Sequence, residues 1–160
     1  LIKELKNNDT INDKFFEVYD KTFKQLKIEE DRKNELLELK EKYPLFIITS
    51  NRESSLETYF YNNQLQNVFT KVFGEETSKS KVEKFEMLFE QYNLNIEECV
   101  FVTDTLGDIL EANKIGIKTI AVDFGFHEKE RLEKGNPLKI VSSFEDIRKT
   151  INGMGVKVLN

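Results

Sequence analysis

The sequence predicts an α/β fold built on a parallel sheet, and three observations predict it. Short unbroken apolar runs stand at residues 45–48, 100–102 and 119–122, each bounded by polar residues, as suits strands covered on both faces. Between them lie stretches whose apolar residues repeat at helical spacing. Strand alternates with helix from Leu45 onward, which implies βαβ crossovers and parallel pairing in a three-layer, Rossmann-like α/β/α arrangement.

Residues 1–43 read as helical throughout. Phe15, Tyr19, Phe23 and Leu26 recur at helical spacing behind Asn12 as an N-cap, and a second helix over 35–42 carries Leu36, Leu37 and Leu39. The strand at 45–48 runs into Thr49, Ser50 and Asn51, and a helix over 54–62 follows. Another short strand lies within 68–73 and ends at Gly74. Ser80 and Glu83 form a capping box ahead of a helix with Phe85, Leu88, Phe89 and Tyr92 at i, i+3, i+4 and i+7. The strand at 100–102 leads to Asp104 and Asp108. Ile109 and Ala112 then mark a helix stopped by Gly116. A strand at 119–122, a long partly helical connection over 123–137, a short strand at Ile140 and Val141 and a helix bearing Phe144, Ile147 and Ile151 complete the core. Residues 156–159 form an edge strand or a tail.

The 160 residues suffice for one domain with a real core. With 39% hydrophobic and 33% charged residues the composition is globular rather than disordered. The net charge of −5 gives no basic footprint for nucleic acid. No apolar run approaches a membrane span and no signal peptide is visible, so a reducing cytoplasmic compartment is expected. The single cysteine, Cys99, excludes an internal disulfide and reads as a core thiol.

Three groups fall at the carboxyl edge of this sheet, where ligands bind in open α/β folds. The Thr49 hydroxyl and the backbone N–H groups of Ser50 and Asn51 suit a phosphate oxygen. Lys81 adds a fixed positive charge at a helix start, and Asp104 with Asp108 makes a hard oxygen site suited to Mg²⁺. Together these are the electrostatic parts of phosphoryl transfer. Each has a plainer reading: Thr49 or Asp104 as a helix cap, Asp108 as a solvated carboxylate, Lys81 as a surface lysine. His127, the only histidine, reads as a solvated loop residue beside the site.

In their order, these motifs resemble the haloacid dehalogenase-like phosphohydrolases, in the phosphoglycolate-phosphatase-like branch with a helical cap. The strand into Thr49-Ser50-Asn51 is similar to that family's second motif, and Val102-Thr103-Asp104-Thr105-Leu106-Gly107-Asp108 to its fourth, with Thr103 where the family has Gly. The motif lysine is Lys81 or, as second choice, Lys79, whose following Pro is here Ser80. The resemblance implies a cap remainder over 1–34, a core over 35–160, Mg²⁺ as cofactor and a small phosphorylated metabolite as substrate. Thr49, Lys81 and Asp104 become catalytic residues, with Asp108 a further metal ligand. It also implies a nucleophilic Asp-x-Asp on a central first strand. Residues 1–43 hold no such motif, so that strand is expected from a missing N-terminal segment or a second chain, and this chain alone is expected to be inactive. The rival reading is a catalytically degenerate domain that binds a partner or phosphorylated ligand. A receiver-like signalling domain fits less well, because it needs an acidic pair on an early strand.

Overall fold

The computed structural model describes residues 26–155, together with Val18, Lys21, Thr22 and Gln25 of the preceding helical stretch. The expected cap at Asn12, the residues Phe15, Tyr19 and Phe23, and the expected strand or tail at 156–159 lie outside the described residues. Helicity is not continuous over the first 43 residues: residues 26–29 are non-helical. Helix α1 then spans Glu30–Lys40, with Glu30 and Asp31 at its amino end and Lys40 at its carboxyl end, each favoured by the helix dipole.

Strand β1 (Phe46–Ile48), helix α2 (Glu53–Asn63) and strand β2 (Lys71–Phe73) form one parallel unit, with Phe46 opposite Lys71 and Ile48 opposite Phe73. Helix α3 (Lys81–Tyr92) crosses to the second unit. There β3 (Val100–Thr103), α4 (Leu106–Ile115), β4 (Lys118–Val122), α5 (Lys129–Leu132), β5 (Lys139–Val141) and α6 (Phe144–Gly153) follow in order. All pairing is parallel; β4 lies between β3 and β5. Strand β4 is covered on both faces, as a central parallel strand should be. Ile120 and Val122 pack with Leu39, Val141, Ile147 and Ile151 on one side, and Ala121 packs with Ile109 and Leu132 on the other.

The helix ends have legible causes. Ser80, Thr105 and Ser143 cap α3, α4 and α6, their side-chain oxygens accepting the N–H of Glu83, Asp108 and Asp146. The second arm of the expected capping box is absent, because the Glu83 carboxylate accepts from the Ser78 hydroxyl at 2.6 Å instead. Gly116 stops α4 at φ 81°, as expected, while α2 and α3 stop on Gln64 and Asn93 in the same left-handed region.

One feature departs from the expected burial. Phe46, Ile47, Ile48, Val100, Phe101 and Val102 are half-buried rather than enclosed. The reason is that the sheet is divided: β1–β2 and β3–β4–β5 are separate ladders, and the flanks of β1 and β3 share a cavity of about 450 Å³.

Candidate functional site

The carboxyl ends of β1 and β3 open on the same side of the molecule, and α3 ties them together. Lys84, one turn into that helix, is fully buried, and its Nζ donates to the Thr49 carbonyl at 2.6 Å. Lys81, in the first turn, reaches the other sheet, where its Nζ pairs with Asp108 Oδ1. That pair is 15% and 17% exposed, which shields it from solvent screening. Burial, and next the neighbouring Lys81 ammonium, push the Lys84 pKa down. The two lysines, one turn apart on α3, are thus bonded one to each half of the divided sheet.

Around Thr49 the chain folds tightly on itself. The Asn51 N–H donates to Thr49 Oγ1 at 3.1 Å, so one of the two backbone donors expected for phosphate is engaged locally. The first N–H of α2, on Glu53, donates to Glu76 Oε2 at 2.9 Å, placing a carboxylate where the helix dipole favours an anion. Glu53 in turn accepts from Gly74 N at 2.9 Å and Thr77 Oγ1 at 2.7 Å. Burial raises the pKa of Glu53, but these two hydrogen bonds and the nearby Lys71 and Lys84 outweigh it, and the net shift is downward.

Asp108 is held on both oxygens: Oδ1 faces Lys81, and Oδ2 accepts from Thr103 Oγ1 at 2.9 Å. The Thr that replaces the family's Gly is thus a hydrogen-bond donor to the candidate metal ligand. Asp104 is fixed from the loop after β4. Its Oδ2 accepts from Phe126 N at 2.8 Å, and its carbonyl accepts from His127 N at 3.1 Å. Gly125 lies so close that a Cβ there would stand 2.3 Å from Asp104 Cβ. His127 is not merely solvated: its Nδ1 accepts from Leu106 N at 2.9 Å at the start of α4, which puts its proton on Nε2. Lys79 is exposed, whereas Lys81 is within this network.

Can these residues hold Mg²⁺? No group of three or more carboxylate, His or Cys side chains suited to a metal occurs among the described residues. Mg²⁺ does not require one: it keeps several waters and is commonly held by one or two carboxylates plus phosphate oxygens. Asp104 suits a direct ligand. Asp108, with both oxygens engaged, suits contact through water. The donor set therefore fits Mg²⁺ when a phosphate is also present.

Two residues escaped the sequence reading. Lys84 had a signal: with Lys81, Phe85 and Leu88 it falls at i, i+3, i+4 and i+7, on the inward face of α3. The capping role of His127 had none, because it depends on how the 123–128 loop returns to α4. Cys99 is half-buried, its Sγ 3.4 Å from the Asn95 carbonyl, and burial followed by the Glu98 charge pushes the thiol pKa up. That is the behaviour of a core thiol, not a nucleophile.

Comparisons with known proteins converge. The sequence model for haloacid dehalogenase-like hydrolases matches residues 1–122. A phosphoglycolate phosphatase from Photorhabdus laumondii is 27% identical over 122 residues, covering 74% of this chain and 52% of the relative. The chain thus spans about half the length of that curated relative. Among solved structures, a haloacid dehalogenase-like family hydrolase from Streptococcus pneumoniae superposes with a TM-score of 0.67 at 25% identity, covering 73% of this chain and 56% of its own. A haloacid dehalogenase-like protein of unknown function from Agrobacterium tumefaciens reaches a TM-score of 0.76 at 18% identity, covering 91% and 69%.

Proposed function

The chain belongs to the haloacid dehalogenase-like hydrolases, and on that premise we propose that it forms the core of a Mg²⁺-dependent phosphohydrolase of the aspartyl-phosphate type. Its substrate is a small phosphorylated metabolite. Residues 1–34 belong to a helical cap, residues 35–160 are the core, and the protein works in the cytoplasm. The observation that carries this reading is the reach of α3 to both sheet ends, with Lys84 on Thr49 and Lys81 on Asp108. It gathers a hydroxyl, ammonium groups and carboxylates at one rim.

Each residue has a task in the chemistry. The Thr49 hydroxyl and the Ser50 N–H donate to non-bridging phosphate oxygens. Lys81 neutralises charge on the same oxygens while holding Asp108. Lys84 fixes the Thr49 carbonyl, and so the orientation of the peptide that carries the Ser50 N–H. Asp104 and, through water, Asp108 would hold Mg²⁺, which would supply positive charge to the phosphoryl oxygens. The nucleophilic carboxylate comes from an Asp-x-Asp strand that residues 1–43 do not contain. Its oxygen attacks phosphorus, the ester P–O bond breaks with the electron pair leaving on the alcohol oxygen, and water then hydrolyses the acyl phosphate.

A second reading has one observation in its favour. Both oxygens of Asp108 are taken by Lys81 and Thr103, as expected of a degenerate site that binds a partner or phosphorylated ligand without turnover. One experiment separates the two. The 160 residues alone should not hydrolyse a generic phosphate ester. Expressed with a segment carrying Asp-x-Asp, they should do so in Mg²⁺, and Asp104→Asn should abolish it. Turnover by the 160 residues alone, lost in Asp104→Asn, would overturn the assignment of the nucleophile; no turnover in either form favours the degenerate reading.

A further inference from the structure

The loop that follows β4 is fastened at its start to the body of the domain and at its far end to the run between the two candidate metal ligands. At its start, Asp123 N donates to the Val141 carbonyl at 3.2 Å, and Asp123 Oδ2 accepts from the Ser142 hydroxyl at 2.8 Å. The Phe124 ring lies 5.6 Å from the Phe144 ring, and the Arg32 guanidinium stands over both, 5.8 and 5.7 Å from their centres. Residues of α1, β5 and α6 thus all bear on this end of the loop. Three bonds then run from its far end to residues 104–106. Phe126 N donates to Asp104 Oδ2 at 2.8 Å, and His127 N donates to the Asp104 carbonyl at 3.1 Å. His127 Nδ1 accepts the Leu106 N–H at 2.9 Å. The first two bonds are made by the main chain, whatever side chain it carries. Only the third needs the imidazole.

That third bond acts midway between the two carboxylates. Leu106 is the first residue of α4, and an N-cap side chain serves the second or third helical N–H rather than the first. Here the Thr105 hydroxyl oxygen accepts from Asp108 N at 3.2 Å. The Leu106 N–H therefore needs an acceptor from outside the helix, and His127 supplies it. A Cβ on Gly107 would meet nothing within 4 Å, so packing at that residue does not fix the run. Among the described residues Asp104 Oδ1 accepts no hydrogen bond, which leaves it for a cation. Mg²⁺ demands near-octahedral geometry, so it depends on how its ligands are held. We propose, resting on the phosphohydrolase reading of this rim, that His127 is a positioning residue for the cation. Its side chain touches neither Mg²⁺ nor phosphate; it acts through the Leu106 N–H to fix the spacing of Asp104 and Asp108.

The test compares the whole chain with His127→Ala, His127→Asn and His127→Gln. Asn sets an amide oxygen near the place of Nδ1, whereas Gln carries its amide out to the place of Nε2. Two quantities are read by amide NMR: hydrogen exchange at Leu106, and the shifts of residues 103–108 as Mg²⁺ is titrated into saturating inorganic phosphate. The wild type should protect Leu106 and take up Mg²⁺. His127→Ala and His127→Gln should speed exchange at Leu106 and weaken Mg²⁺ roughly tenfold, the low end for groups that orient metal ligands. His127→Asn should restore most of both. Phosphate affinity without Mg²⁺ should stay within about twofold in all three, because a positioning role at the metal leaves Thr49, Ser50 and Lys81 in place. If His127→Ala fails to fold, the Asn and Gln variants carry the comparison. Uptake of Mg²⁺ by His127→Gln but not His127→Asn would mean that Nε2 meets the ligand, and would overturn the proposal. So would wild-type Mg²⁺ affinity in His127→Ala, fast exchange at Leu106 in the wild type, or equal losses of phosphate and Mg²⁺ affinity, which mark general loosening. No uptake of Mg²⁺ by the wild type would overturn the phosphohydrolase reading and the positioning role together, whereas the other contrary results leave that reading standing.

Discussion

An ammonium group at full burial is costly, and Lys84, which donates to the Thr49 carbonyl, is such a group. Burial lowers its pKa below the ordinary 10.5, so folding disfavours its charged form. That penalty is fully present below the folded-state pKa and is relieved as pH rises towards 10.5. Lys84→Met should therefore raise stability at neutral pH by about 1 kcal/mol and remove part of the wild-type gain between neutral and alkaline pH. Denaturant unfolding at stepped pH checks both, and a variant less stable at pH 7 with an unchanged alkaline slope would contradict them. Gly125 makes the opposite case, a residue needed for what it lacks. In Gly125→Ala the new methyl would meet Asp104 at 2.3 Å, so the carboxylate must move or the loop must lift. The expected cost is about 1–3 kcal/mol, with weakened Mg²⁺-dependent phosphate binding read by calorimetry. Neither effect was legible in the sequence. Thr49, Lys81, Asp104 and Asp108 stood out by position at strand ends and helix starts, but burial of Lys84 and contact between Gly125 and Asp104 arise only when distant segments meet.

Among the elements, α3 carries the most, because it is packed against both halves of the molecule and bonded to both. Its start is set by Ser80, whose hydroxyl oxygen accepts the Glu83 N–H. The sequence pattern located that cap and the stripe of Phe85, Leu88 and Phe89 behind it, since both are local signals. It misplaced the Glu83 carboxylate, because Ser78 lies outside the pattern and competes for it. Ser80→Ala should cost about 1 kcal/mol of stability. It should also loosen Lys81, the first helical residue, and weaken phosphate binding more than Ser143→Ala, which removes an equivalent cap from α6 at the end of β5. Thermal unfolding and phosphate titration of the two variants side by side supply the check; equal losses of phosphate affinity would mean that the first turn of α3 does not position Lys81.

For the molecule as a whole, alternation of apolar runs and amphipathic stretches sufficed to give the parallel α/β architecture, and the order of motifs the family. The residue-level burial of β1 and β3 was not recoverable in this way. Both runs read as enclosed strands because their composition is that of enclosed strands, and it is the slot beside them that leaves them half-buried. No helix among the described residues is long and apolar enough to cross a membrane, in line with the scattered charges of the sequence.

The bridge made by α3 makes the two halves of the site mechanically interdependent. Any widening or narrowing of the gap between the ladders must draw Lys84 off the Thr49 carbonyl, draw Lys81 off Asp108, or tilt the helix that bears both. The width of the gap and the grip on an anion are then two readings of one displacement. Whatever factor the first applies to the second, the second returns to the first, so a tighter hold on phosphate would itself report that the gap has closed.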